Sequence, residues 1–198
     1  MARVRNISRD QIVEAAKTVL QHRGPEALTI KAVAEQASVT QGTIYYYFKA
    51  KEDLVNAVIR SAVDEQIERF DAAFASTHDE LMRIERTLDA VREAFLKDDD
   101  FHRRLFGLVA KGLADEGSAR EMQLIMERLS ATMDKHLRAA ISDKTRLPVP
   151  VEHIGRILRA TFDGLALQSL FDKEIDIDAV FDSLKVIILA LYGHDRAE

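Results

Sequence analysis

Between residues 40 and 51 the chain gathers Thr40, Gln41, Thr43, Tyr45, Tyr46, Tyr47 and Lys51 around one glycine, Gly42. These side chains donate and accept hydrogen bonds, and one is a cation, yet none makes a nucleophile and base pair. Their chemistry is that of recognition. Thr40, Gln41 and Thr43 can reach base edges or phosphates, and tyrosine hydroxyls can bond phosphate oxygens. Gly42 lowers helix stability by roughly 1 kcal/mol relative to Ala, and close approach to another backbone would account for it. The tyrosines of the chain are Tyr45, Tyr46, Tyr47 and Tyr192. Successive helical residues point about 100° apart, so the run at 45–47 cannot all serve a core.

The elements that must position this set are short helices. Thr29 can cap a helix whose inward side is Ile30, Val33, Ala34 and Ala37, small enough to admit a close neighbour. Ser38-Val39 breaks the repeat and Thr40 restarts it as a second N-cap. On the following helix Ile44 and Phe48 point one way, while Gly42, Thr43 and Tyr46 point the other, with Tyr45 and Tyr47 on the flanks. The helix N-termini add partial positive charge toward phosphates. Upstream, Ser8 and Gln11 form a capping box, with Ile7 and Ile12 as its hydrophobic staple. Ile12, Ala15, Ala16, Val19 and Leu20 make one apolar stripe, and Gly24-Pro25 ends that helix. Lys51-Glu52-Asp53 opens a long fourth helix to about residue 75, with Leu54, Val58, Ala62, Ile67 and Phe70 inward.

Residues 8–54 resemble the N-terminal domain of the tetracycline-repressor (TetR) family of bacterial transcriptional regulators. The matching residues are Ala27-Leu28-Thr29, Val33-Ala34, Ala37, Val39, Gly42-Thr43-Ile44-Tyr45, Tyr47-Phe48, Lys51 and Leu54. The resemblance implies DNA contacts at Thr29, Thr40, Gln41, Thr43, Tyr45, Tyr46, Tyr47 and Lys51. Of these, Thr29, Tyr45, Tyr46 and Lys51 would mainly hold phosphates, and Gln41 and Thr43 would mainly read bases. Two positions depart from the family pattern. Ser38 stands where the family usually has Gly, so the turn needs a residue that tolerates a strained backbone angle. Tyr47 stands where His is common, which alters one phosphate contact.

The net charge of −5 divides unevenly. Residues 1–60 hold nine Lys/Arg against six Asp/Glu, and residues 61–198 hold nineteen against twenty-seven. The basic excess sits with the reading motif, where local charge matters for phosphate contact. Arg3 and Arg5 precede the first helix, as a basic arm suited to a minor groove or as a disordered start with incidental charges. No cysteine is present, which excludes thiol chemistry and suits a reducing compartment. No apolar run reaches membrane-spanning length and residues 1–20 lack a signal-peptide core; the expected location is cytoplasmic. The six histidines show no pair at metal-ligand spacing, and Asp98-Asp99-Asp100 followed by Phe101-His102 reads as a solvated acidic run. No Gly-rich phosphate loop or Gly-x-Ser-x-Gly elbow occurs. No catalytic residue, metal or cofactor is therefore expected.

Beyond residue 75 the pattern is helical throughout, with segments near 79–96, 101–113, 118–142, 151–171 and 176–193. The fold class expected is all-α. A three-helix DNA-binding domain with a helix-turn-helix (residues 1–50) precedes an all-helical effector-binding and dimerisation domain (residues 51–198), about nine helices in all. The last two segments carry apolar stripes wider than one core contact needs. By resemblance, they join a second copy in a four-helix interface including Ile157, Ala160, Gly164, Leu167, Phe181, Leu184, Ile188 and Leu191. Phe95, Phe106, Met122, Met126, Leu129, Met133, Thr161, Phe162 and Leu165 are the candidate lining of an effector pocket, against the plain alternative of ordinary core. The expected function is a ligand-responsive regulator, a homodimeric repressor on a palindromic DNA operator released by a small, mostly apolar effector. An effector-independent architectural DNA binder and an all-helical enzyme are the alternatives.

Overall fold

In the computed structural model, residues 7–97, 106, 110, 116–140 and 149–193 are described. Among them the regular structure is α-helical. α1 (Arg9–Arg23) starts as its sequence dictates: Gln11 N donates to Ser8 Oγ at 3.1 Å, and Ser8 N donates to Gln11 Oε1 at 2.9 Å. It ends at Gly24, whose φ of 80° takes the chain into a conformation that other residues rarely adopt. A single 3₁₀ turn, Pro25–Ala27, leads to α2 (Ile30–Gln36) and α3 (Gln41–Tyr47). α4 (Lys51–Ala75), α5 (Glu80–Lys97), α6 (Glu116–Ala140), α7 (Val151–Phe171) and α8 (Ile177–Gly193) complete the order. The expected 101–113 helix lies almost wholly outside the described residues.

The chain divides into two compact units, residues 1–64 with 103–125, and residues 65–102 with 126–198. This division falls within α4. The reason is packing: Leu54, Ala57, Val58, Ile59 and Val63 are all buried before Asp64 is reached. The core of the first unit is built from Ile12, Ala16 and Val19 of α1, Val33 of α2, and Ile44 and Phe48 at α3 and its end. Burying such side chains contributes about 1.5–3 kcal/mol each by transfer.

In the second unit, Ile84, Leu88 and Val91 of α5 meet Leu158, Phe162 and Leu165 of α7 and Phe181 of α8. Phe162 and Phe181 stack with centroids 5.8 Å apart. Phe70 and Phe74 of α4 and Met133 and Leu137 of α6 pack around that cluster. Gly155 allows α6 and α7 to meet closely, since Asp134 occupies the space a side chain there would need. Among the described residues the most buried polar side chain is His136 of α6, stacked on Phe74 at 4.6 Å, with Nε2 2.7 Å from Asp71 Oδ1. Lys135 donates to the same carboxylate at 3.0 Å, and these two hydrogen bonds hold Asp71 below the usual carboxylate range. No helix among the described residues is long and apolar enough to cross a membrane.

Candidate nucleic-acid interface

The turn between α2 and α3 is a complete helix-closing motif. Val39 N donates to Ala34 O at 2.9 Å and Ser38 N donates to Glu35 O at 3.1 Å. Ser38, at φ 56°, is the sole non-glycine residue with positive φ among those described. These are the two hydrogen bonds of a Schellman ending, with Ser38 at the position that favours glycine. The backbone demand expected at this departure from the family pattern is therefore present. Thr40 then opens α3: its Oγ1 accepts from Thr43 N at 3.2 Å and lies 3.0 Å from Thr43 Oγ1. Thr29 does the same for α2, accepting from Ala32 N at 3.1 Å.

α3 hangs on two buried anchors, Ile44 and Phe48, and faces solvent elsewhere. Gln41 and Gly42 are exposed, Thr43 is half-buried, and Tyr45 and Tyr46 are 48% and 75% exposed. A methyl added at Gly42 would meet only Thr40 Oγ1, at 3.7 Å. Nothing among the described residues therefore requires glycine, and the open approach faces outward. A helix with a polar, glycine-containing outward side and a rigid apolar root has the form that enters the major groove. Thr40 and Thr43 are partly spent on each other, which leaves Gln41 as the freest amide for a base edge.

Tyr47 is placed differently from Tyr45 and Tyr46. Its hydroxyl donates to the carbonyl of Ile7 at 2.6 Å, across forty positions of sequence, and its ring meets Tyr46 edge-on at 5.1 Å. Arg9, not singled out in the sequence, lies with its guanidinium 4.9 Å above the Phe48 ring. The two residues lie 39 positions apart, and neither segment carries a signal for the other. Lys51 is half-buried at the first position of α4.

The structure distributes the candidate pocket residues. Phe162 and Leu165 are core residues with Met133 packed against them. Thr161 is exposed and donates back to Ile157 O at 2.9 Å, whereas the Met126 thioether accepts from Arg159 at 3.1 Å. Phe106, Met122 and Leu129 are half-buried, and the Phe95 side chain lies outside the described residues. Of the candidate interface set, Ile157, Ala160 and Leu167 are exposed, and Gly164, Leu184 and Ile188 are half-buried. Phe181 instead turns inward, 3% exposed, because its ring is needed against Phe162. The Leu191 side chain lies outside the described residues.

A Thr-capped helix pair, closed by a Schellman turn and presenting its second member outward, defines a helix-turn-helix DNA-binding protein. Residues 12–58 match the model of the bacterial regulatory proteins of the tetR family. YfiR of Bacillus subtilis, an uncharacterised HTH-type transcriptional regulator, is 27% identical over 94% of this chain and 92% of its own. A TetR/AcrR-family transcriptional regulator from Thermobifida fusca superposes with a TM-score of 0.63 at 25% identity, over 93% of this chain and 97% of that one. FadR from Bacillus subtilis, a transcriptional regulator crystallised with stearoyl-CoA, gives 0.70 at 20% identity, over 92% and 98%. Residues 12–58 thus match the tetR-family regulatory domain, and along most of its length the chain is similar to HTH-type transcriptional regulators.

Proposed function

We propose that the chain works as a homodimeric repressor, reading a palindromic operator with α3 and released from it by a mostly apolar effector. The observation that carries this reading is the outward surface of α3 on its buried Ile44 and Phe48 root. Gln41 and Thr43 read bases, while Thr29, Tyr45, Tyr46 and Lys51 hold phosphates and fix register. One head offers few base contacts. A two-fold pair doubles them and sets half-sites about one helical turn, or a multiple of it, apart.

Pairing is supported by apolar surface on the last two helices. Ile157 is 61% exposed, Phe171 84% and Val186 67%, and Leu167 and Ile187 are also open. Several exposed apolar side chains on the same two helices suit an association site. Gly164, in mid-helix, has nothing within 4 Å of where its side chain would be. Its helix-propensity cost is thus uncompensated within the protomer and suits a close crossing by a partner helix. Phe181 supports that surface from beneath.

For the effector, the FadR neighbour bound to stearoyl-CoA makes long-chain acyl thioesters the first class to try. A ligand shifts the equilibrium only by binding the DNA-incompetent arrangement better. α4 contributes residues to both compact units, so its tilt is the coupling element proposed. The test is selection of bound duplexes from a random pool, with and without acyl thioesters, for the protein and its Gln41→Ala and Thr43→Ala variants. A palindromic site, lost with ligand and relaxed at one base pair per half-site by about 1–3 kcal/mol in the variants, is expected. A footprint unaltered by both substitutions would remove α3 as the reader.

A further inference from the structure

Arg9, the first residue of α1, has its seat on the end of α3. Its guanidinium lies over the Phe48 ring, 4.9 Å from the centroid, and Phe48 is the buried C-cap of α3. Two positions upstream, the Ile7 carbonyl accepts the Tyr47 hydroxyl at 2.6 Å. The backbone before Arg9 and its guanidinium are thus both held by the end of α3, so Arg9 travels with that helix as one body. Its side chain is exposed, and among the described residues no carboxylate pairs with it. Lys17 and Lys31 of the same unit are paired instead, with Glu14 at 2.9 Å and Glu35 at 4.0 Å. Stacking on a ring occupies a face of the guanidinium and leaves its in-plane N–H donors at the edge. Recognition helices read bases with their N-terminal residues, which leaves the C-terminal end of α3, with Tyr46, Phe48 and Arg9, toward the phosphate rim of the groove.

We propose that Arg9 is a further DNA-contacting residue, a guanidinium stacked on Phe48 whose outer edge clamps one backbone phosphate at the rim of the groove that α3 enters. Tyr47 is the positioning residue: its hydroxyl, spent on Ile7 O, fixes the start of α1 against α3 instead of reaching a phosphate itself. This rests on the reading of α3 as the DNA-contacting helix and deepens it. Arginine suits the place because its planar fork gives two parallel N–H bonds to phosphate oxygens while its face stays on a ring. A cation seated in advance also loses little side-chain freedom on binding. Tyr46, 75% exposed and edge-on to Tyr47 at 5.1 Å, stands at the same corner, where its hydroxyl suits an adjacent phosphate.

The test uses a duplex selected by the wild-type protein, remade with single uncharged methylphosphonates stepped along its backbone, with affinity read by fluorescence anisotropy. For wild type, one substitution flanking the α3 contact should cost about ten-fold. Arg9→Gln should weaken binding to the unmodified duplex by about ten-fold for each head bound, and lose sensitivity at that one position while keeping it elsewhere. Its log–log salt slope should flatten by about 0.9 for each head bound. Arg9→Lys, which keeps the charge and the stem, should stay sensitive at the same phosphate with a smaller loss of affinity. Tyr47→Phe should weaken wild type several-fold and change Arg9→Gln by less than about two-fold. An Arg9→Gln protein sensitive at every position that wild type reads would overturn the proposal and leave Arg9 as a cover for Phe48. A Tyr47→Phe loss that maps to a phosphate of its own would overturn the positioning role. Either result, with Gln41→Ala still relaxing base preference, leaves α3 as the reader. A Gln41→Ala protein with unaltered preference removes the reading of α3, and the clamp with it.

Discussion

Replacing Ser38 by glycine should stabilise the protein without touching a single side-chain contact of the core. Ser38 holds φ at 56°, where an L-residue with a Cβ is disfavoured by roughly 1–2 kcal/mol. Glycine removes that penalty but loses more freedom on folding, which returns about 0.4–1 kcal/mol to the unfolded state. The two backbone hydrogen bonds of the turn, Ser38 N to Glu35 O and Val39 N to Ala34 O, are available to either residue. Ser38 is exposed, so little packing is lost with its side chain. The net gain is then about 0.5–1 kcal/mol. At an m-value of ~2 kcal/mol per M, the urea midpoint rises by roughly 0.2–0.5 M. Equilibrium unfolding followed by far-UV circular dichroism measures it. Ser38→Val supplies the opposite sign, since a β-branched residue suffers most in the left-handed region. A Ser38→Gly midpoint equal to or below wild type, or a Ser38→Val midpoint above it, would refute the account of this turn.

Gly164→Ala should raise the helical stability of the protomer by up to about 1 kcal/mol, because no described atom lies within 4 Å of the added methyl, while weakening the proposed dimer. Sedimentation against concentration tests the pair of effects, and a variant that dimerises as tightly as wild type would place the crossing elsewhere. Asp71→Asn should erase part of the acid sensitivity of the second unit. Lys135 and His136 depress the Asp71 pKa from its ordinary 3.8, so its stabilisation is present above that pH and is lost as pH falls through the lower, folded value. Urea titrations from neutral pH to pH 3 should show the wild-type advantage shrinking below about pH 4; an advantage constant with pH contradicts the assignment.

The local signals in the sequence were legible because their partners lie three to five positions away. Ser8 with Gln11, Thr29 with the α2 amides and Thr40 with the α3 amides all follow from side-chain reach. The backbone angle at Ser38 was legible only through the resemblance, in which glycine usually holds that position. What periodicity could not supply is which side of a wide stripe faces inward. On α8 it does not separate Phe181, buried against Phe162, from exposed Val186 and Ile187. For Met133, Phe162 and Leu165 the sequence leaves pocket lining and ordinary core both open, and only tertiary packing shows them in one apolar cluster. The Tyr47 to Ile7 bond was out of reach, since nothing in either segment names a partner forty positions away.

The hydrogen bonds that seat α3 come from backbone atoms, from Thr40 and from the Tyr47 hydroxyl, and its root from Ile44 and Phe48. Gln41 and Tyr45, which point outward, supply none of them. On the proposed reading of α3, exchange of Gln41 leaves the scaffold intact, so a new target sequence can be acquired by a few codon changes without a compensating change in the interior. Paralogues that diverge in this way can share one architecture and still ignore each other's promoters.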